Sequence, residues 1–129
     1  KNVDLETLEY IHLHKTGALL KACVRTGAMI AGADQKLLEA LTNYAEGIGL
    51  AFQIIDDILD VTSSSETLGK TAGKDLLADK TTYPKLLGLE ESKKRALNLV
   101  KQSKEAIMPW GEEAKYLLSL ADFITNRDR

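Results

Sequence analysis

Cysteine occurs once in the 129 residues, as Cys23, and proline only twice. A lone cysteine cannot close an internal disulfide and leaves no basis for a cysteine-ligated zinc site. Aromatic residues make up 5% of the chain and glycines number nine, which disfavours a strand-rich fold with many tight turns. Neither sign of charge dominates: 17 basic residues stand against 19 acidic ones, for a net charge of -2. That balance gives no footprint for nucleic acid. No apolar run approaches the ~20 residues that a membrane-spanning helix needs, and no signal peptide pattern precedes Lys1. Met29 and Met108 are the only methionines, so Lys1 reads as a processed end or an internal cut.

What is present favours helix. Ala, Leu, Lys and Glu dominate, with 44% hydrophobic and 28% charged residues, an ordinary balance for one folded domain. Apolar residues from Leu5 through Leu8, Ile11, Ala18, Leu19 and Ala22 recur at helical spacing, which predicts a first helical segment from Asp4 to about Ala31, stopped by Gly32. Its small residues suit close helix contact. A second long helix is predicted from Asp34 to about Val61, ended by the run Thr62 to Ser65. Gly69, Lys70, Gly73, Lys74 and Asp75 read as a loop. Thr82 before Pro84 marks a short helix closed by Gly88. Leu89 to Ile107 is amphipathic, with Glu90 and Glu91 early and Lys101 and Lys104 late, as the helix dipole favours. Pro109 to Gly111 reads as a turn, and Glu112 to Thr125 as a last helix. The sum is an all-α fold.

The chemistry concentrates in the second helix, at Phe52-Gln53-Ile54-Ile55-Asp56-Asp57-Ile58-Leu59-Asp60. On a helical wheel Gln53, Asp56, Asp57 and Asp60 fall within an arc of ~100°. Apolar side chains take most of the remaining circumference, which marks a buried helix. Three carboxylates are therefore expected to project into a shared space. Between Leu37 and Gly69 there are six acids and no Lys or Arg, so the carboxylates have no local counter-ion on their own helix. Adjacent like charges in poorly hydrated surroundings are costly, and a divalent cation is the simplest compensation. All-oxygen ligands select a hard ion, and magnesium is usual where phosphate shares the shell. The competing reading is three solvated surface aspartates near a helix end; the dipole disfavours anions at that end, which counts against it.

Two basic groups suit an anion: Lys15-Thr16-Gly17, and the cluster Lys70, Lys74, Lys80 and Lys85. Each lysine taken alone reads as a solvated residue, as does the run Lys93-Lys94-Arg95. His12 and His14 diverge by ~200° on a helix and are read as non-ligands. Cys23, among small apolar residues, is read as a buried packing residue.

Ile11-His12-Leu13-His14-Lys15-Thr16-Gly17, the Phe52 to Asp60 string, Leu68-Gly69-Lys70, Gly73-Lys74-Asp75 and Asp79-Lys80-Thr81-Thr82-Tyr83-Pro84, in that order, resemble the trans-isoprenyl diphosphate synthases. Within that family the chain is most similar to the C-terminal half of the bacterial farnesyl diphosphate synthases (geranyltranstransferases). The resemblance implies a helical bundle of the isoprenoid synthase type around a deep cavity. It implies a Mg2+-dependent prenyltransferase that condenses an allylic diphosphate (dimethylallyl or geranyl) with isopentenyl diphosphate. By the match, Asp56, Asp57 and Asp60 form the second of two aspartate-rich metal motifs. Asp56 is the direct ligand, and Asp57 and Asp60 act partly through bound water. Lys15, Lys70 and Lys80 match the residues that contact the allylic diphosphate. Thr16, the Lys15 carbonyl and the Gln53 side-chain oxygen match the groups that face the allylic carbocation.

The resemblance also implies a cytoplasmic enzyme that is a homodimer at full length. The family's first aspartate-rich motif and its isopentenyl diphosphate ligands have no counterpart in these residues. The 129 residues alone are therefore expected to be inactive in prenyl transfer and to expose an apolar face. A geranylgeranyl or longer-chain synthase, and a non-catalytic helical partner fragment, remain open beside the farnesyl reading.

Overall fold

The computed structural model describes residues 3–67 and 81–127. All regular structure in them is helical: α1 (Leu5–His14), α2 (Thr16–Ile30), α3 (Gln35–Thr67), α4 (Tyr83–Leu87), α5 (Leu89–Ile107), a 3-10 segment (Met108–Ala114) and α6 (Lys115–Asn126). The predicted all-α class is observed. No described helix is long and apolar enough to cross a membrane.

Helix α3 is the axis. It packs chiefly against α5 and α2, and also against α6, α1 and α4. Tyr44, Ala45, Ile48, Ala51, Ile54, Ile55 and Ile58 are buried along it, and Ala96, Val100, Ile107, Ala121 and Ile124 close the core from α5 and α6. The Tyr44 hydroxyl donates to the Leu117 carbonyl at 2.6 Å, tying the middle of the axis to α6.

Local chemistry accounts for most boundaries. Asp4 and Asp34 accept backbone N–H groups from Thr7 and Leu37, each at 2.9 Å, as side-chain caps at the starts of α1 and α3. Thr82 caps α4, and Pro84 sits in its first turn. Gly32, with φ of 81°, ends α2: its N–H donates to Met29 and the Ala33 N–H to Ala28, a left-handed cap that favours glycine.

Four expectations need correction. The predicted first helix is two, because Lys15 departs from helical geometry (φ -109°, ψ -99°). The second helix runs to Thr67, past the hydroxyl run meant to stop it. Thr62 satisfies its Oγ1 within the helix, donating to the Ile58 carbonyl at 3.1 Å. Residues 108–114 form a 3-10 turn rather than a tight turn, and α6 starts at Lys115. Cys23 is exposed, because α2 presents its small-residue stripe only in part to the core. The segment 68–80 predicted as a loop, with Lys70, Lys74 and Lys80, lies outside the described residues.

Glycine sets the spacing of the central helices. A Cβ on Gly47 would lie 2.0 Å from Ser103 Oγ and 3.3 Å from the Leu99 carbonyl of α5. A Cβ on Gly49 would lie 3.4 Å from the Gly17 Cα of α2, whereas one on Gly27 would meet nothing within 4 Å. Helix propensity favours alanine over glycine by ~1 kcal/mol, so the steric environment decides the sign of each substitution. Gly27→Ala is expected to stabilise the fold by about 0.5–1 kcal/mol. Gly47→Ala is expected to destabilise it by about 1–3 kcal/mol through overpacking, with most of the loss restored by Ser103→Ala. Urea unfolding midpoints of the three variants measure both signs.

Candidate functional site

The contact between Gly17 and Gly49 places the sequence Lys15-Thr16-Gly17 beside the middle of α3. Gly17 is buried there, while Lys15 and Thr16 are exposed. A Gly17 Cβ would lie 3.1 Å from the His12 carbonyl, so the close passage of the α1–α2 break also depends on glycine. The break leaves Lys15 just ahead of α2, where its carbonyl accepts from the Leu19 N–H at 3.4 Å. Gln53 lies one turn beyond Gly49 and is half-buried. An apolar cavity of about 460 Å3 opens alongside, walled by Leu20, Ile48, Leu120 and Phe123, with Thr16, Phe52 and Arg127 also on its lining.

The three aspartates take different environments. Asp57 is buried, and its Oδ2 accepts the backbone N–H of Tyr83 at 3.1 Å. Asp56 is half-exposed and forms an ion pair with Arg127, the residue that follows α6. Asp60 is half-buried one turn beyond Asp56. The absence of a local counter-ion on the same helix is therefore answered at Asp56 from the far end of the described residues. Among the described residues, no three Asp, Glu, His or Cys side chains converge as a metal cluster. The expected shared space thus resolves into Asp56 and Asp60 on one turn-spaced face, and Asp57 directed to α4.

Divalent-cation chemistry fits this face. The donors are oxygen alone, Asp56 remains open to solvent with 45% of its side chain exposed, and the guanidinium already resting on it shows that the position takes positive charge. Asp60 follows at the four-residue spacing that puts two helical side chains side by side. Helix α3 continues for seven residues past Asp60, from Val61 to Thr67. The carboxylates therefore lie before the last turns of α3 and not at its end.

Behind Asp57 lies a buried assembly. The Tyr83 ring is fully buried, stacked on His12 at 5.7 Å between centroids. Arg95 pairs with Glu9, joining α5 to α1. Burial, followed by the nearby Glu9 carboxylate, pushes the Tyr83 hydroxyl far above its ordinary range. Burial alone pushes the Tyr44 hydroxyl up to about 12. His12 thus packs on the Tyr83 ring. Arg95 is drawn into the fold, whereas its neighbours Lys93 and Lys94 are exposed. Lys85 is exposed as well. Neither Arg127 nor the ring of Tyr83 was legible as a site residue. Arg127 follows the last helix with no motif around it, and Tyr83 stands out in sequence only beside a helix-start signal.

Comparison with known proteins agrees with the fold. The polyprenyl synthetase family model matches residues 1–115. A dimethylallyltranstransferase of Fischerella ambigua is 54% identical over 127 residues, covering 98% of this chain and 37% of that protein. A chloroplastic geranylgeranyl pyrophosphate synthase of Capsicum annuum is 54% identical over 128 residues, covering 98% of this chain and 35% of its own length. The crystal structure of an FPP/GFPP synthase from Zymomonas mobilis superposes with a TM-score of 0.79 at 34% identity, over 96% of this chain and 39% of that one. The chain thus spans little more than a third of the length of the curated relatives it matches.

Two predictions follow from the split environments. Asp57→Ala is expected to cost about 1–3 kcal/mol by stranding the buried Tyr83 N–H, with Asp57→Asn milder because it keeps an acceptor. Asp56→Asn, at a half-exposed ion pair, is expected to change stability by no more than ~1 kcal/mol. Chemical denaturation of the three variants tests this order. Separately, a folded tyrosine that keeps its proton above the ordinary value of 10.0 loses its stabilising effect as alkali ionises the unfolded chain. Stability should therefore fall from near pH 10 upward until Tyr44 itself ionises at about 12, and Tyr44→Phe should reduce that slope. Melting temperatures across the alkaline range measure it.

Proposed function

Because this chain belongs to the polyprenyl synthetase family, we propose that it forms the second metal and allylic diphosphate half of a trans-prenyltransferase. The reaction is condensation of an allylic diphosphate, dimethylallyl or geranyl, with isopentenyl diphosphate. The observation that supports the reading is the close passage of Gly17, next to Thr16, against Gly49, one turn before Gln53 on α3, with Thr16 and Phe52 both lining an apolar cavity of about 460 Å3. Basic groups, carboxylates and a prenyl-sized apolar space are what an ionising allylic diphosphate needs.

In this reading Asp56 and Asp60 would hold Mg2+, with Asp56 the direct ligand, while Asp57, expected from the sequence as a third ligand, is turned to the Tyr83 N–H. When bound, magnesium neutralises charge that develops on the departing diphosphate. Lys15 supplies further positive charge to that diphosphate, and Lys70 and Lys80 take the same role by their sequence match. Preorganised positive groups act most strongly where charge appears in the transition state. The Thr16 hydroxyl, the Lys15 carbonyl and the Gln53 side-chain oxygen orient dipoles toward the carbocation without a strong nucleophile to trap it. Phe52 and the leucines of the cavity wall exclude water from that cation. The isopentenyl double bond attacks, a new carbon–carbon bond forms, and the proton lost passes to the departed diphosphate.

Farnesyl diphosphate is the product proposed from the overall sequence likeness. Geranylgeranyl diphosphate is the second reading, favoured by the 54% identity to the Capsicum annuum relative of that name. The experiment is an assay of the full-length protein with geranyl diphosphate, labelled isopentenyl diphosphate and Mg2+, with products separated by chain length. Condensation supports the reading, and the ratio of C15 to C20 product decides between the two names. Asp56→Ala is expected to lower kcat/KM by at least about 100-fold, the size typical of removing a transition-state electrostatic group. No turnover by the full-length protein, or full activity in Asp56→Ala, would overturn it. The 129 residues alone are expected to turn over nothing.

A further inference from the structure

Arg127 is the first residue past α6, where the chain leaves the helix with an extended ψ of 152°. Its side chain turns back across α3 instead of reaching into solvent. The guanidinium pairs with Asp56 Oδ1, lies over the Phe52 ring at 4.2 Å from the centroid, and donates to the Phe52 carbonyl at 3.5 Å. Its side chain is only 12% exposed, against 45% for Asp56. The arginine is therefore held by three groups of one α3 turn, while the carboxylate it meets stays open on its other side. It also lines both the 460 Å3 cavity beside Thr16 and a neighbouring one of about 250 Å3. It lies beyond residues 1–115, which match the family model.

We propose that Arg127 is a tethered counter-ion of Asp56 that competes with a divalent cation for that carboxylate and so sets the cation affinity of the site. The inference rests on the reading of Asp56 as a cation ligand. A carboxylate oxygen engaged by a guanidinium is not free for a metal, and a cation approaching the other oxygen meets like charge at contact range. The strength of a guanidinium–carboxylate contact in part-buried surroundings makes that competition effective. Once displaced from Asp56, the guanidinium loses its ion pair and is held less firmly over Phe52. Arg127 is thus a positioning residue, acting through Asp56. The sign of its effect separates this role from a structural one. A residue that only braces the site weakens cation binding when removed, whereas a competitor strengthens it.

The test titrates Mn2+ alone, without substrate, into the full-length protein and follows free Mn2+ by electron paramagnetic resonance. Arg127→Gln is expected to bind Mn2+ about three- to tenfold tighter than wild type, the range set by losing one part-exposed charge. Arg127→Lys keeps the charge and is expected to stay near wild type. Asp56→Asn is expected to lose most of the affinity. Unchanged or weaker binding in Arg127→Gln, with Asp56→Asn still impaired, overturns the counter-ion role and leaves the metal reading standing. Mn2+ binding in Asp56→Asn equal to wild type, or none in any form, overturns the metal reading and the counter-ion role with it. A second measurement needs no variant: trypsin cleavage after Arg127, read by mass spectrometry, is expected to quicken several-fold when Mn2+ frees the guanidinium. A rate indifferent to Mn2+ overturns the proposal even if Arg127→Gln does not fold.

Discussion

The burial of α3 is the constraint on which everything else depends. A helix with apolar groups around most of its circumference contributes stability in proportion to the area it removes from water. This one also carries three aspartates, and each must be met by solvent, a donor or a positive charge as its neighbours close around it. The fold answers the aspartates differently. Asp57 is pressed into the core against the Tyr83 backbone N–H. Asp56 stays half-open and takes the charge of Arg127. Two sides of one helix turn thereby acquire different duties, one structural and one electrostatic.

The close passages that make this possible are steric. Gly47 admits Ser103 of α5, and Gly49 admits Gly17 of α2. A Cβ at Gly47 would collide with Ser103, and one at Gly49 would already fill the space up to Gly17 and Leu20. The second passage governs chemistry as well as packing, because Gly17 directly follows the Lys15-Thr16 pair. The break in helical geometry at Lys15 then separates α1 from α2, so that α1 can lay Glu9 and His12 against Arg95 and Tyr83. Tyr83 thus connects α1 to the aspartate helix: its ring stacks on His12 and its backbone N–H donates to Asp57.

How much of this was legible in the chain depends on the range of the forces involved. Capping and amphipathic spacing act within one or two turns, and Asp34, Thr82, Gly32 and the run from Leu89 to Ile107 marked their elements with small error. The Thr62–Ser65 run misled because a hydroxyl can bond to its own helix as readily as it can end one. Cys23 misled because small apolar neighbours in sequence do not determine which side of a helix meets the core. The Gln53–Asp60 arc was legible because residues on one helix are placed relative to one another by the helix itself. The polyprenyl synthetase kinship followed from the order of motifs along the chain, and the family match over residues 1–115 bears it out.

Local sequence determined an all-α fold, a buried axis that carries Asp56, Asp57 and Asp60 within two turns, and the family to which they belong. Those features arise from backbone hydrogen bonding and side-chain periodicity, which neighbouring residues settle among themselves. Only the tertiary structure decided that Asp57 turns inward to Tyr83, 26 positions away, and that Asp56 receives Arg127, 71 positions away. No periodicity links such positions. Their meeting depends on how closely the glycines let α2 and α5 approach α3, and on where α6 ends relative to Phe52.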